Sequence, residues 1–166
     1  MYHTINEFLT DWKFESEATL KVFNNLTDES LDSRVSSISR TIGRLAWHII
    51  AIVSETVVRT GIKLATVSDD NNYPRVAKEI IEKYKQVSNV LMEELPKIWN
   101  EDSLKEKIDV FGEQWTKEAI LTSLIKHQIH HRAQMTALMR QAGLKVPGIY
   151  GPAYEEWKDM GMDPMV

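Results

Sequence analysis

Three histidines occupy positions where the periodicity of the chain would otherwise place leucine or isoleucine. His127 and His131 are four residues apart, so on a helix their side chains project from one face, one turn apart. His48 lies on the apolar stripe of an earlier segment. An imidazole in an apolar core needs a polar partner, and a transition metal is a partner that three imidazoles can share. The three positions therefore predict a metal site.

The ligand type indicates what such a site could do. Three imidazoles hold a divalent ion such as zinc at roughly 2.0–2.1 Å and leave at least one coordination position for water or substrate. An open position is typical of reactive rather than structural metal sites. The alternative is a plain helical bundle whose core histidines are hydrogen-bonded and bind no metal. The residues alone leave both interpretations open.

Glu55 is a candidate catalytic residue, because it lies two turns beyond His48 on the same stripe. Its carboxylate could orient a metal ligand or accept a proton from metal-bound water. It could equally form an ion pair within the bundle. The candidate partners are Arg44, Arg59 and Arg132.

Two further polar residues accompany the histidine pair of the last helix. Gln134 lies one turn beyond His131 on the predicted inner face and could hydrogen-bond a metal ligand, bound water or another helix. His130 lies about 100° around the helix from His131, off the inner face. We expect a surface or supporting role for His130 rather than ligation.

The composition is that of an ordinary folded domain. The chain has 166 residues, of which 43% are hydrophobic and 27% charged. This length is near the commonest size of a single domain, so we expect one domain over residues 1–166. The absence of cysteine excludes disulfides, thiolate metal ligands and cysteine nucleophiles. Any metal must therefore be held by histidine, carboxylate or water.

The charge pattern argues against a nucleic-acid-binding protein. The net charge is −4, and lysine and arginine are spread along the chain instead of forming a basic patch. The first residues lack the pattern of a signal peptide, and no apolar run approaches the ~20 residues that a membrane span needs. We expect a cytoplasmic protein that does not bind membranes and has no general nucleic-acid-binding surface. The sequence leaves a specific local contact to DNA or RNA open.

Apolar residues recurring every three or four positions predict four long helices, so the expected fold class is an all-α four-helix bundle. The expected helices cover about residues 4–26, 39 or 41–61, 74–96 and 120–143. The predicted inner stripe of the first helix is Phe8, Trp12, Glu15, Thr19, Val22 and Leu26. That of the third is Val76, Ile80, Tyr84, Val87 and Leu91, and that of the fourth is Ile120, Leu124, His127, His131, Gln134 and Leu138.

The connecting segments have their own signals. Residues 27–40 are rich in Ser and Asp, which predicts a connection with at most one short helical turn. Residues 99–115 read as a longer linker in which a short extended segment is possible. The tail from 146 to 152 is too rich in Gly and Pro for a helix. We expect Tyr154 and Trp157 to anchor the tail against the bundle.

Taken together, these residues resemble the DinB/YfiT-like family of small four-helix proteins. The resemblance covers nearly the whole chain and rests on three motifs. They are Gly43-Arg44-Leu45-Ala46-Trp47-His48-Ile49, His127-x-x-x-His131-Arg132-x-Gln134 and Pro147-Gly148-Ile149-Tyr150-Gly151-Pro152. The second motif is the most specific.

The resemblance implies a divalent metal, commonly zinc or nickel, held by His48, His127 and His131 with water completing the shell. It also implies frequent homodimers and a bundle with a non-simple connection between helices. Related proteins include transferases and an isomerase that use low-molecular-weight thiols such as mycothiol or bacillithiol. In such enzymes the metal would lower the pKa of the thiol and supply a nucleophile without a protein cysteine.

Two hypotheses about function follow from this resemblance. The first is a metal-dependent enzyme that activates a small thiol or water for S-transfer or hydrolysis of a small-molecule substrate. The second is a non-enzymatic, metal-bearing stress protein or dimeric interaction module. A pocket that opens onto the histidines favours the first hypothesis over the second.

Overall fold

The computed structural model describes residues 2–64, 66–68 and 71–164 and contains the four predicted long helices. They are α1 (Ile5–Phe23), α2 (Ile42–Arg59), α3 (Ala77–Ile98) and α4 (Lys117–Gln141). A short helix, α5 (Glu156–Asp159), lies in the tail, and single 3₁₀ turns cover Glu29–Asp32 and Ser103–Lys105. The predicted four-helix bundle is therefore confirmed. None of the helices among the described residues combines the length and the continuous apolar sequence that a membrane-spanning helix requires.

The helices do not pack in chain order. Both α1 and α2 pack mainly against α3 and α4, so α1 and α2 lie across one diagonal of the bundle. The connections from α1 to α2 and from α3 to α4 therefore cross the bundle, as the resemblance implies. This arrangement makes α2 and α4, the two helices that carry the histidine motifs, neighbours along their lengths.

Side-chain caps set where the helices begin. Thr4 and Glu7 form the predicted capping box, in which the Thr4 hydroxyl accepts from the Glu7 N–H at 3.1 Å. At the starts of α2 and α4, the hydroxyls of Thr41 and Thr116 likewise accept from the backbone N–H three residues further on. Each threonine oxygen satisfies a first-turn N–H that has no partner within the helix.

The third helix begins later than predicted. Pro74 was expected in its first turn, but the helix begins at Ala77, and Val76 is a 40% exposed N-cap residue instead of part of the apolar face. The Asp28 carboxylate accepts from the Ala77 N–H at 2.7 Å. Because Asp28 lies 49 residues earlier in the chain, no local pattern could reveal this cap.

The predicted apolar stripes form the core of the bundle. All six stripe residues of the first helix are buried, although α1 ends at Phe23, before Leu26. The α3 stripe is buried from Ile80 to Leu91, and α2 is buried around most of its circumference. Gly43 lets the Tyr73 ring approach the first turn of α2, since a Cβ there would lie 2.6 Å from Tyr73 Cε2.

The buried face of α4 is wider than predicted and is rotated relative to the expected stripe. Gln134 is exposed and His127 is only half-buried, so the prediction that both lie inside is wrong for Gln134 and partly right for His127. The buried residues instead include Gln128, Arg132 and Met135. The reason is that α4 packs against both α1 and α2, and its buried polar side chains are tolerated where other helices supply hydrogen-bond partners.

A β-hairpin occupies the linker before α4. Strands β1 (Lys107–Val110) and β2 (Glu113–Thr116) pair antiparallel. Phe111 and Gly112 form its tight turn, both with positive φ (54° and 87°). The extended segment suggested by the sequence is therefore present, and it pairs with a strand that the sequence did not indicate.

The tail is attached through the hydroxyl of Tyr150, although the Tyr150 side chain is 65% exposed. Of the two predicted anchors, Tyr154 is 53% exposed and Trp157 is half-buried. Tyr150 Oη donates to Glu15 Oε1 at 2.7 Å and accepts from Arg132 Nη2 at 2.7 Å. The same guanidinium forms an ion pair with Glu15 Oε2 at 2.7 Å, with both side chains buried. A buried ion pair of α1 and α4 thus provides the attachment point for the tail.

Replacing Arg132 with methionine should lower the free energy of unfolding by about 3–5 kcal/mol, because the Glu15 carboxylate would remain buried without a counter-charge. Urea denaturation followed by circular dichroism measures the change. The double variant Glu15→Gln/Arg132→Met removes both charges and should be less destabilised than Arg132→Met alone. Equal losses in the two variants would contradict the role assigned to the ion pair.

Candidate metal centre

The histidines of α2 and α4 meet inside the bundle. Nε2 of His48 lies 3.0 Å from Nε2 of His127, and the rings of His48 and His131 stand edge to face with their centroids 4.5 Å apart. The candidate ligand nitrogens of all three histidines lie within 4.8 Å of one another. His48 and His131 are buried, and His127 is half-buried.

This geometry fits a single divalent ion. Two nitrogens bound at about 2.0–2.1 Å and at tetrahedral angles are roughly 3.3–3.4 Å apart. The separation of 3.0 Å between His48 and His127 requires only small ring movements to reach that value. Imidazole nitrogens suit zinc and nickel. The three side chains can therefore hold a metal ion.

Gln134 orients one of these ligands. Its Oε1 lies 2.8 Å from Nδ1 of His131. Because an amide oxygen can only accept, Nδ1 must carry the ring proton, which leaves Nε2 of His131 with a free lone pair. Metal-ligating histidines are commonly oriented by such a bond on the non-ligating nitrogen. The sequence predicted a hydrogen-bonding role for Gln134, but it placed this residue on the inner face of α4, where it does not lie.

Burial also favours the ligating form of His131. Desolvation of the ring lowers the pKa of His131 below its ordinary value, and the hydrogen bond to Gln134 opposes this shift only in part. A lower pKa keeps the imidazole neutral at neutral pH, and only the neutral ring offers a lone pair to a metal.

His130 lies outside the group of three, as the sequence predicted. It is exposed, and its ring stands edge-on to that of His131 with the centroids 4.9 Å apart. It is not part of the cluster of candidate ligand atoms. The same helix therefore offers a histidine of identical chemistry that serves as a control.

Glu55 is paired with an arginine instead of with the histidines. Its Oε1 accepts from Arg59 Nη2 at 2.6 Å and from Nε at 3.2 Å, one turn along α2. The Arg59 guanidinium also lies over the ring of Phe111, 4.9 Å from its centroid. Of the three partners that the sequence allowed, the structure selects Arg59.

A cavity of about 370 Å³ lies beside His127. It is lined by α2, the hairpin and α4, and its walls are mainly apolar. Glu55, Arg59 and Ser123 supply polar groups, and Phe111 and Trp115 of the hairpin cover one side. The hairpin therefore completes a pocket next to the candidate metal ligands.

A second cavity, of about 510 Å³, lies beside His131. Gln134 and Arg40 line it together with apolar side chains that include Leu45 and Leu138. The two cavities thus reach the histidine cluster from two sides, one at His127 and the other at His131. The sequence predicted the three candidate ligands but neither cavity, because each cavity is formed by segments distant in the chain.

Comparison with known proteins agrees with this fold. A model of the DinB family matches residues 1–163. The uncharacterized protein YrdA of Bacillus subtilis (strain 168) is 44% identical over 163 residues, covering 98% of each chain. The crystal structure of a DinB-like protein from Bacillus cereus ATCC 10987 superposes with a TM-score of 0.86 at 42% identity, over 90% of this chain and 100% of that chain.

A more distant structure shows the fold alone. The DinB-like protein YjoA of Bacillus subtilis superposes with a TM-score of 0.63 at 18% identity, over 89% of this chain and 96% of that chain. The fold, the family match over residues 1–163 and the sequence identity to these relatives therefore all indicate the same family. This chain belongs to the DinB family.

Proposed function

We propose that this protein is a metal-dependent enzyme in which His48, His127 and His131 bind one divalent ion, zinc or nickel. In this proposal the ion activates a small thiol or water for S-transfer or hydrolysis. The observation that carries the proposal is the convergence of three imidazoles between two cavities, one beside His127 and one beside His131. A purely structural metal site is normally closed and needs no cavity beside its ligands.

The two cavities favour transfer over hydrolysis. Water needs no pocket of its own, whereas a thiol and an electrophile must be held side by side. When bound, the metal would supply a thiolate or hydroxide nucleophile at neutral pH by lowering the pKa of its ligand. In transfer, the sulfur forms a bond to an electrophilic carbon, the leaving group departs with its electron pair, and the thiol proton passes to solvent.

The residues around the histidines have separate tasks. Gln134 holds His131 in the tautomer that leaves its Nε2 unprotonated and able to bind a metal. The Glu55–Arg59 pair places a polar edge on the His127 cavity. The Arg59 guanidinium lies over the ring of Phe111, which lines the hairpin side of this cavity.

The metal site is tested by elemental analysis of the untagged protein. The wild type should contain about one divalent ion per chain after incubation with zinc or nickel, and His127→Ala/His131→Ala should contain almost none, because one remaining imidazole is a weak site. The matched control His130→Ala should retain wild-type metal content. Equal metal loss in the control, or no metal in the wild type, would refute the site.

The role of Gln134 is tested by metal affinity. Gln134→Leu should weaken metal binding by about 10–100-fold, because His131 loses the bond that fixes its tautomer. Competition with a chromogenic chelator measures the affinity. Gln141→Leu is the matched control, since Gln141 is also exposed and lines the same cavity without bonding a histidine. Similar affinities for the two variants would contradict the positioning role.

The reaction class is tested with the metal-loaded protein and two substrates. Conjugation of bacillithiol to 1-chloro-2,4-dinitrobenzene should be accelerated by the wild type and by His130→Ala. It should not be accelerated by His127→Ala/His131→Ala. Hydrolysis of 4-nitrophenyl acetate without thiol reports the other reaction class. Acceleration of neither reaction above the metal-free protein would refute the proposed activities.

A further inference from the structure

Four arginines surround a cavity of about 610 Å³ at the N-terminal end of α2. They come from three segments of the chain and are Arg34, Arg40, Arg44 and Arg75. Asp32 is the one acidic residue among the described residues that line this cavity. The described lining therefore carries four formal positive charges against one negative charge.

The arginines on one wall are held in place by other side chains. Arg75 donates to Asp32 Oδ1 at 2.7 Å and to the hydroxyl of the buried Tyr73 at 2.8 Å. Its guanidinium also lies 4.3 Å from the centroid of the Tyr73 ring. Arg44 donates from Nε to Asn71 Oδ1 at 3.2 Å. Groups fixed in this way lose little further side-chain entropy when they bind a ligand.

The other two arginines lie in the connection before α2. Both Arg34 and Arg40 are exposed, and no carboxylate of the described residues forms an ion pair with Arg40. Because Arg75 is paired with Asp32, the guanidinium groups of Arg34 and Arg40 are the ones that would mainly attract an oxyanion placed in this cavity. The planar guanidinium matches carboxylate and phosphate oxygens in geometry as well as in charge.

The arginine cavity adjoins the candidate metal centre. Ser39 and Arg40 line both this cavity and the cavity beside His131. One molecule could therefore place an anionic group among the arginines and extend past Arg40 towards His131. The second cavity is mainly apolar apart from Arg40 and the polar groups near His131, which suits the uncharged part of such a molecule.

We propose that the arginine cavity binds the carboxylate or phosphate group of a small molecule whose reactive end occupies the cavity beside His131. This inference rests on the proposed function, because it specifies the substrate or thiol of that site as an oxyanion-bearing compound. The arginine cavity itself needs no metal, so its anion binding can be measured separately.

The first experiment titrates the full-length, metal-free protein with inorganic phosphate and with succinate at constant ionic strength, using calorimetry. The wild type should bind at least one of these anions saturably, and Arg34→Gln/Arg40→Gln should weaken binding by about tenfold or more. The control Lys85→Gln/Lys158→Gln removes two exposed positive charges elsewhere and should change the affinity by less than about twofold. A preference for phosphate or for succinate identifies which anion the site takes.

Three results of this titration would overturn the inference. They are absence of saturable binding of either anion, equal weakening in the two double variants, and loss of anion binding in metal-free His127→Ala/His131→Ala. The last result would place the anion on the histidines instead of the arginines.

The second experiment tests the connection between the two cavities. Cobalt-loaded protein is titrated with mercaptosuccinate and with 2-mercaptoethanol, and the cobalt–sulfur absorption reports thiol binding. The wild type should prefer mercaptosuccinate, and Arg34→Gln/Arg40→Gln should lose that preference while retaining its cobalt. Equal affinity of the wild type for both thiols would overturn the connection. A protein that binds no cobalt would refute the proposed function, but the anion titration would still decide whether the arginine cavity is an anion site.

Discussion

The packing of α2 against α4 is the contact on which the rest of the site depends. It brings His48 within 3.0 Å of His127, although the two residues are 79 positions apart in the chain. Neither helix alone offers more than two candidate ligands. Because the connections from α1 to α2 and from α3 to α4 cross the bundle, the diagonal arrangement is what makes these two helices neighbours. The fold and the candidate chemistry are therefore consequences of the same topology.

The rotation of α4 is set from its opposite side. Consecutive residues of a helix point about 100° apart, so His131 can face α2 while Arg132 faces α1. The buried ion pair of Arg132 with Glu15 holds α4 in that rotation, and Tyr150 fastens the tail to the same pair. The motif His131-Arg132 thus combines a candidate metal ligand with the residue that orients its helix. This explains why polar residues occupy so much of the buried face of α4.

Local patterns predicted the parts of this structure that depend on local interactions. Helical periodicity and the Thr4 cap predicted the bundle, and the spacing of His127 and His131 predicted the ligand pair. The α3 start at Ala77 was missed because its cap, Asp28, is distant in sequence. The exposed position of Gln134 and the anchoring role of Tyr150 were missed for the same reason, since each depends on how α4 sits between two other helices. The cavities depend on several segments at once and have no local signal.

The central claim is that three imidazoles bind one ion, and X-ray absorption spectroscopy of the zinc-loaded protein tests it most directly. The account predicts about three imidazole scatterers at roughly 2.0–2.1 Å, together with one or more lighter oxygen ligands. Adding a thiol should replace an oxygen scatterer with sulfur at about 2.3 Å without loss of an imidazole. A spectrum with fewer than two imidazoles per zinc would contradict the account, because the metal would then lie outside the cluster of His48, His127 and His131.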